Sequence, residues 1–207
     1  MGIKSFLSKP IAAWIVRGVN RWKYNAVEAQ RQTLNHLVKQ AKNTVYGRDH
    51  HFESIKSYED FKKNVPVSDY EDLRPYIDRV VKGEENILWK GKPLYFAKTS
   101  GTTSGVKYIP ISKESMPEHI KAARNALLTY IHETGKSDFA DGKMIFLQGS
   151  PEMDKKGGIF FGRLSGIVAH HVPGYLQKNR LPSYQTNCIE DWEEKVDTIV
   201  DETIHED

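Results

Sequence analysis

Two short β-prone runs, Leu94-Tyr95-Phe96 and Tyr108-Ile109-Pro110-Ile111, enclose the stretch Thr99-Ser100-Gly101-Thr102-Thr103-Ser104-Gly105-Val106-Lys107. Only Val106 in that stretch has an apolar side chain larger than hydrogen. A polar loop this short ties its flanking strands side by side. It also turns backbone N–H groups and hydroxyls toward one point. Gly101 and Gly105 allow positive φ and close approach of the backbone. Lys107 adds a point charge. Converging N–H donors, hydroxyls and one ammonium suit a polyphosphate. The same residue types also fill ordinary hairpin turns for conformational reasons alone, so composition leaves a plain connection open.

Spacing removes two familiar phosphate loops. A Walker A loop is G-x-x-x-x-G-K-[ST] running into a helix. Here Gly101 and Gly105 are too close, Lys107 follows Gly105 by two positions, and Tyr108 stands where Ser or Thr is needed. No G-x-G-x-x-G occurs at the site either.

The stretch Thr99 to Lys107 resembles the ATP-phosphate loop of the adenylate-forming superfamily. Together with its extension to Ser112, it is most similar to the acyl-acid amido synthetases of the auxin-responsive-promoter (Gretchen Hagen) family, and to their bacterial branch. Two upstream blocks share the resemblance: Ala41 to Phe52, and Val65 to Leu73 followed by Pro75-Tyr76-Ile77. The resemblance implies a mixed α/β (α+β) fold, with helices packed on a mixed sheet. It makes residues 1–207 an incomplete N-terminal portion of a large domain, with a helical region at about 1–90, because family members carry further nucleotide motifs downstream. It implies ATP-dependent adenylation of a small carboxylic acid, then acyl transfer to an amine (an amino acid) or a thiol, with ATP and Mg²⁺ as cofactors. Thr99, Ser100, Gly101, Thr102, Thr103, Ser104, Gly105 and Lys107 would hold the phosphates, with Lys107 the catalytic cation. Arg124, the one arginine of the following helix, is a candidate anchor for the acid's carboxylate. The alternative from another class is a non-catalytic nucleotide-binding remnant.

Composition narrows the partners. Thirty basic residues against twenty-seven acidic ones, net +3, give no bulk support for a nucleic-acid partner. With 39% apolar residues a core is expected rather than disorder. The single cysteine, Cys188, cannot form an internal disulfide, and the cytoplasm is the default compartment. Residues 1–24 hold five basic residues and no acid, with Ile11, Ile15, Val19 and Trp22 at helical spacing. Such a helix can lie on a membrane, but packing on the domain is the expected role, and membrane contact is not expected.

Periodicity and punctuation predict the elements. A helix is expected over 25–43, with Val27, Leu34, Leu37, Val38 and Ala41 inward and Gly47 as terminator. Ser57 with Asp60 starts a short helix that Pro66 ends. Ser68 and Glu71 form a capping box for another, ending before Pro75. Ser115 and Glu118 open a helix to about Thr134, with Ile120, Ala123, Leu127, Leu128 and Ile131 buried and Gly135 as stop. Lys143 to Gln148 reads as a buried strand, 167–172 as a second strand, and 192–203 as a helix. The four tryptophans are expected in the core or at an interface. The adjacent pairs His50-His51 and His170-His171 point apart in either regular structure, so no metal site is assigned.

Overall fold

In the computed structural model, which describes residues 2–99 and 105–206, helices and strands form a mixed α/β fold. The helices are α1 (Ile3–Lys23), α2 (Ala26–Ala41), α3 (Val45–Asp49), α4 (Tyr58–Asn64), α5 (Tyr70–Val81), α6 (Met116–Thr134), α7 (Leu164–Ala169), α8 (Gly174–Gln177), α9 (Tyr184–Cys188) and α10 (Trp192–Thr203). The strands are β1 (Tyr95–Lys98), β2 (Tyr108–Ile111), β3 (Met144–Ile145), β4 (Asp154–Lys156), β5 (Ile159–Gly162) and β6 (Arg180–Leu181). They divide between two compact units. One comprises Met1–Arg21, Ser115–Met153 and Gly162–Asp207; the other comprises Trp22–Glu114 and Asp154–Phe161.

The second unit is built on a four-stranded sheet of order β2-β1-β5-β4. β1 and β2 pair antiparallel with Lys98 opposite Tyr108, and β4 pairs antiparallel with β5. Phe96, fully buried, packs with Val80, Ile87 and Ile159, and Tyr76, Tyr108 and Phe161 close around this cluster. A second cluster joins Val38 and Ala41 of α2 to Phe52.

Local signals worked where the partner group lay a few residues away. Ser57 and Asp60 form the expected reciprocal capping box of α4. Gly135 ends α6 in the left-handed region, at φ 69°. Other expectations fail for physical reasons. The box of α5 is made by Asp69 and Asp72, not Ser68 and Glu71. Pro75 does not end that helix. Ile77 and Val80 beyond it are buried, and that packing outweighs one missing backbone hydrogen bond. Gly47 does not terminate α2 through positive φ. It lies in α3, capped by the buried Thr44, and a β-carbon there would stand 2.1 Å from the Ala41 carbonyl oxygen. Ser115 does not cap α6 through its side chain.

Several apolar faces are exposed rather than buried. On α1 the inward residues are Ser5, Ala12 and Val16, while Ile11, Trp14 and Trp22 face solvent. Val27 and Leu37 of α2, Ala123 and Leu127 of α6, and Trp192 are exposed as well. Amphipathic spacing says which face can be covered, not whether a neighbour arrives. Only Met144–Ile145 of the run 143–148 is strand, pairing in parallel with β6, and Ile145 and Leu147 are exposed. Of the expected strand at 167–172, residues 167–169 instead belong to α7, whose Gly166 packs against the Ser150 carbonyl, and the rest is turn. Among the described residues no helix is long and apolar enough to cross a membrane.

In the first unit, α1 receives its cap from far away in sequence. It has no acid in its first turn. Asp141 instead accepts the Gly2 N–H at 2.6 Å and the Ser5 N–H at 3.2 Å, and the Ser5 hydroxyl bonds Ser137 Oγ at 2.6 Å. This places a carboxylate at the positive end of the helix. Asp141→Ala is expected to lower the unfolding free energy by about 1–2 kcal/mol in urea titrations. An unchanged midpoint would remove Asp141 as the cap.

Elsewhere in this unit α10 buttresses α9. Glu202 accepts the Ser183 N–H at 2.7 Å and the Thr186 hydroxyl, while buried Lys195 donates to the Asn187 carbonyl at 2.6 Å. Burial pushes the Glu202 carboxyl up, but the bonds from Thr186 and Ser183 outweigh it and leave it below its ordinary value. The stabilisation it supplies is therefore present above the ordinary carboxylate pKa of about 4.3, and is lost as pH falls through the lower folded value. Glu202→Gln is expected to flatten the acid limb of a stability–pH curve and leave its neutral-to-alkaline part parallel to wild type.

Candidate functional site

The loop begins one rung beyond the β1–β2 ladder. The Thr99 N–H donates to the Lys107 carbonyl at 3.1 Å, extending the register that sets Lys98 opposite Tyr108. Ser100, Gly101, Thr102, Thr103 and Ser104 lie outside the described residues. Gly105 has φ 79°, and no atom of the described residues lies within 4 Å of where a β-carbon would stand, so conformation is what calls for glycine there.

Lys107 is held from below. Its Nζ lies 5.1 Å from the centre of the Tyr70 ring, and the Tyr70 hydroxyl accepts the Tyr108 N–H at 2.8 Å. Tyr70 is the first residue of α5, set there by the Asp69–Asp72 box. One tyrosine thus ties the start of α5, the edge strand β2 and the loop's ammonium together. A ring face holds a cation without neutralising it.

Two further lysines stand on rings of the same sheet, next to the loop. Lys98 Nζ lies 5.7 Å from the centre of the Phe161 ring. Lys156 Nζ lies 4.7 Å from the centre of the Tyr108 ring, and donates to the Tyr108 hydroxyl at 3.4 Å. Tyr108 and Phe161 meet edge to face at 5.7 Å, and Tyr108 meets Phe96 at 6.0 Å. The β4–β5 hairpin brings Lys156 here. At its tip Gly157 has φ 57°, and a β-carbon on it would stand 2.2 Å from the Val81 carbonyl oxygen. The tip is therefore seated on the end of α5. Tyr70, Lys98 and Lys156 were not singled out by sequence reasoning. Period-two alternation puts Lys98 on the face of Phe96, but no local signal says that residues 154–162 join that sheet.

Among the described residues, none of Lys98, Lys107 and Lys156 pairs with a carboxylate. The contrast lies in the same unit. A cavity of about 240 Å³, lined in part by Val80, Ile87, Trp89 and Pro110, also carries Lys90 and Lys92. There Lys90 pairs with Glu114 at 3.2 Å and Lys92 with Glu85 at 3.8 Å. That pocket is apolar with its cations already paired, whereas the floor under the loop holds cations with no anion.

Arg124 lies in α6, in the other unit. It is exposed, and its guanidinium bonds only its neighbour Asn125, at 3.0 and 3.3 Å. Ser165 accepts the Gly149 N–H at 3.0 Å, and His170 Nε2 lies 2.7 Å from the Pro151 carbonyl oxygen. These are structural bonds. Among the described residues no three His, Cys, Asp or Glu side chains gather to hold a metal ion.

Comparison with known proteins gives concordant results. The GH3 family N-terminal domain matches the chain over residues 16–198. The chain is 43% identical over 83 residues to indole-3-acetic acid-amido synthetase GH3.15 of Arabidopsis thaliana, covering 39% of this chain and 14% of that one. It is 25% identical over 167 residues to jasmonoyl-L-amino acid synthetase JAR4 of Nicotiana attenuata, covering 79% of this chain and 28% of that one. The fold is similar to a solved GH3.15 acyl acid amido synthetase, with TM-score 0.72 at 22% identity, over 87% of this chain and 32% of that one. The chain spans about a third or less of the length of these relatives.

Proposed function

The chain belongs to the GH3 family, as its N-terminal domain, and from that premise we propose that it carries the ATP-phosphate loop of an acyl-acid amido synthetase. The observation that carries the reading is the Lys107 ammonium, which pairs with no carboxylate among the described residues and is held on Tyr70 at the base of a loop rich in hydroxyls and glycine. The reaction joins a carboxylic acid to the α-phosphate of ATP, releases pyrophosphate, and then passes the acyl group to an amine, an amino acid by analogy with the relatives' names. A thiol is the other acceptor. Negative charge grows on the phosphates as the acid attacks. Lys107, the loop hydroxyls of Thr99, Ser100, Thr102, Thr103 and Ser104, and the N–H groups at Gly101 and Gly105 would face it. Arg124 is retained as a candidate carboxylate anchor, a role its exposed guanidinium leaves open to it.

Mg²⁺ belongs to the reading as the companion ion of ATP; phosphate oxygens and water would supply most of its ligands, so it needs no three-residue protein cage, and no step is assigned to it. The adenylate-forming superfamily, its bacterial branch, a large domain continuing beyond residue 207 and a cytoplasmic setting complete the reading. It rests on the loop's residue pattern and on the lone cysteine.

The test is direct. The full-length protein is incubated with ATP, a panel of small carboxylic acids and the twenty amino acids, and the mixtures are searched by mass spectrometry for amides alongside AMP. Amide formed with AMP supports the synthetase. ATP binding with no AMP from any pair would leave a nucleotide-binding module instead.

A further inference from the structure

We infer that Lys98 and Lys156 form, with Lys107, a seat for the terminal phosphates of the nucleotide, the part that departs as pyrophosphate. The inference rests on the nucleotide reading above and extends it to a strand end and a hairpin that neither the loop's pattern nor its spacing includes.

Three observations carry it. The first is placement. Lys98 ends β1 immediately before the loop, Tyr108 begins β2 immediately after it, and Lys156 ends β4 on the hairpin that joins the same sheet. Phe161 under Lys98 and Tyr108 under Lys156 are in mutual ring contact at 5.7 Å, so the two ammonium groups stand on one aromatic floor.

The second is charge. Like charges gathered without a counter-ion repel one another, and an anion relieves the repulsion. Among the described residues no carboxylate serves as that anion, although the sheet has one to offer. Asp154 sits two residues before Lys156 on the same strand and makes no pair with it. Carboxylates do reach cations elsewhere in this unit, at Lys62, Arg74, Arg79, Lys90 and Lys92, although not at every lysine.

The third is side selection. Alternation along β4 sends Lys155 to the opposite face, where it stands 4.4 Å from the Phe160 ring. Only one lysine of the Lys155-Lys156 pair can therefore reach the loop side, which supplies an internal control. An ammonium has three donors; Lys156 gives one to the Tyr108 hydroxyl and keeps the others, as Lys98 does on its ring, for an incoming phosphate. The terminal phosphates carry most of the nucleotide's charge, and AMP lacks them. The seat should then distinguish ATP from AMP.

Isothermal titration of the full-length protein with ATP, AMP and pyrophosphate tests this. Lys98→Gln and Lys156→Gln are each expected to weaken ATP and pyrophosphate about tenfold, leaving AMP within about twofold. Lys156→Arg is expected to restore ATP binding, and Lys155→Gln to match wild type. If ATP affinity is unchanged in both glutamine variants while Lys107→Ala weakens it, this seat is overturned and the nucleotide reading stands. Equal losses for AMP and ATP would also overturn it, by making the lysines supports of the floor. Wild-type protein that binds neither nucleotide would overturn both. Circular dichroism of each variant separates lost binding from lost fold.

Discussion

Lys107→Ala in the full-length protein is expected to lower ATP–pyrophosphate exchange about a hundredfold or more, with the fold unchanged. The magnitude follows from the kind of group removed. A preorganised donor aimed at charge that develops in the transition state is worth about 3 kcal/mol. Lys107 is half-buried, and its stem is already ordered against Tyr70, with Nζ 5.1 Å from the ring centre. Little side-chain entropy remains to be lost when phosphate arrives. Because the ring does not neutralise the ammonium, its full charge is available to the nucleotide. Tyr70→Phe separates positioning from charge. It keeps the ring beneath Lys107 but removes the acceptor of the Tyr108 N–H, so a smaller loss is expected. Exchange at the wild-type rate in Lys107→Ala would take this lysine out of the chemistry.

The second large effect is on stability. Gly157→Ala is expected to cost about 3 kcal/mol, read as a lower midpoint in denaturant. Two costs add. The residue sits at φ 57°, where a β-carbon costs about 1–2 kcal/mol. That β-carbon would also stand 2.2 Å from the Val81 carbonyl oxygen and 3.1 Å from the Gly83 nitrogen. Both neighbours are backbone, so relief requires lifting the hairpin off the end of α5, an overpacking cost of about 1–3 kcal/mol. The adjacent Gly158 is the control. It has φ 80° but open space around it, so Gly158→Ala bears only the conformational cost, about 1–2 kcal/mol. Equal losses at the two positions would show that the close approach to α5 carries no energy. A lifted hairpin also moves Lys156 from Tyr108, so Gly157→Ala should weaken ATP binding where Gly158→Ala does not.

Particular residues show how far the sequence could be read. Ser57 with Asp60 and Gly135 acted as their chemistry says, because a cap or a left-handed stop is decided within one helical turn. Asp69 displaced Ser68 as the cap of α5 for a reason equally local, but a one-residue choice between two competent caps is fine balance. Pro75 misled because the helix beyond it is held by Ile77 and Val80 in the core, an interaction with residues far along the chain. The run 143–148 has the composition of a buried strand, yet only two residues find a partner, and that partner is β6, more than thirty residues away. In the site, Lys107 was visible because it closes a patterned loop. Lys98 was visible only as a neighbour, and Lys156 not at all, because its place depends on a hairpin docking through glycine onto α5.

The sequence by itself determined the polar hairpin loop with its single lysine, most helix boundaries and the family, since caps, turns and strand preferences act over a few adjacent residues. The tertiary structure alone decided which apolar faces are covered, that α1 is capped by Asp141, and that Lys98 and Lys156 stand on two rings in contact with each other. Those outcomes depend on which distant segments meet, and charge and packing between them have no signature in any single stretch of chain.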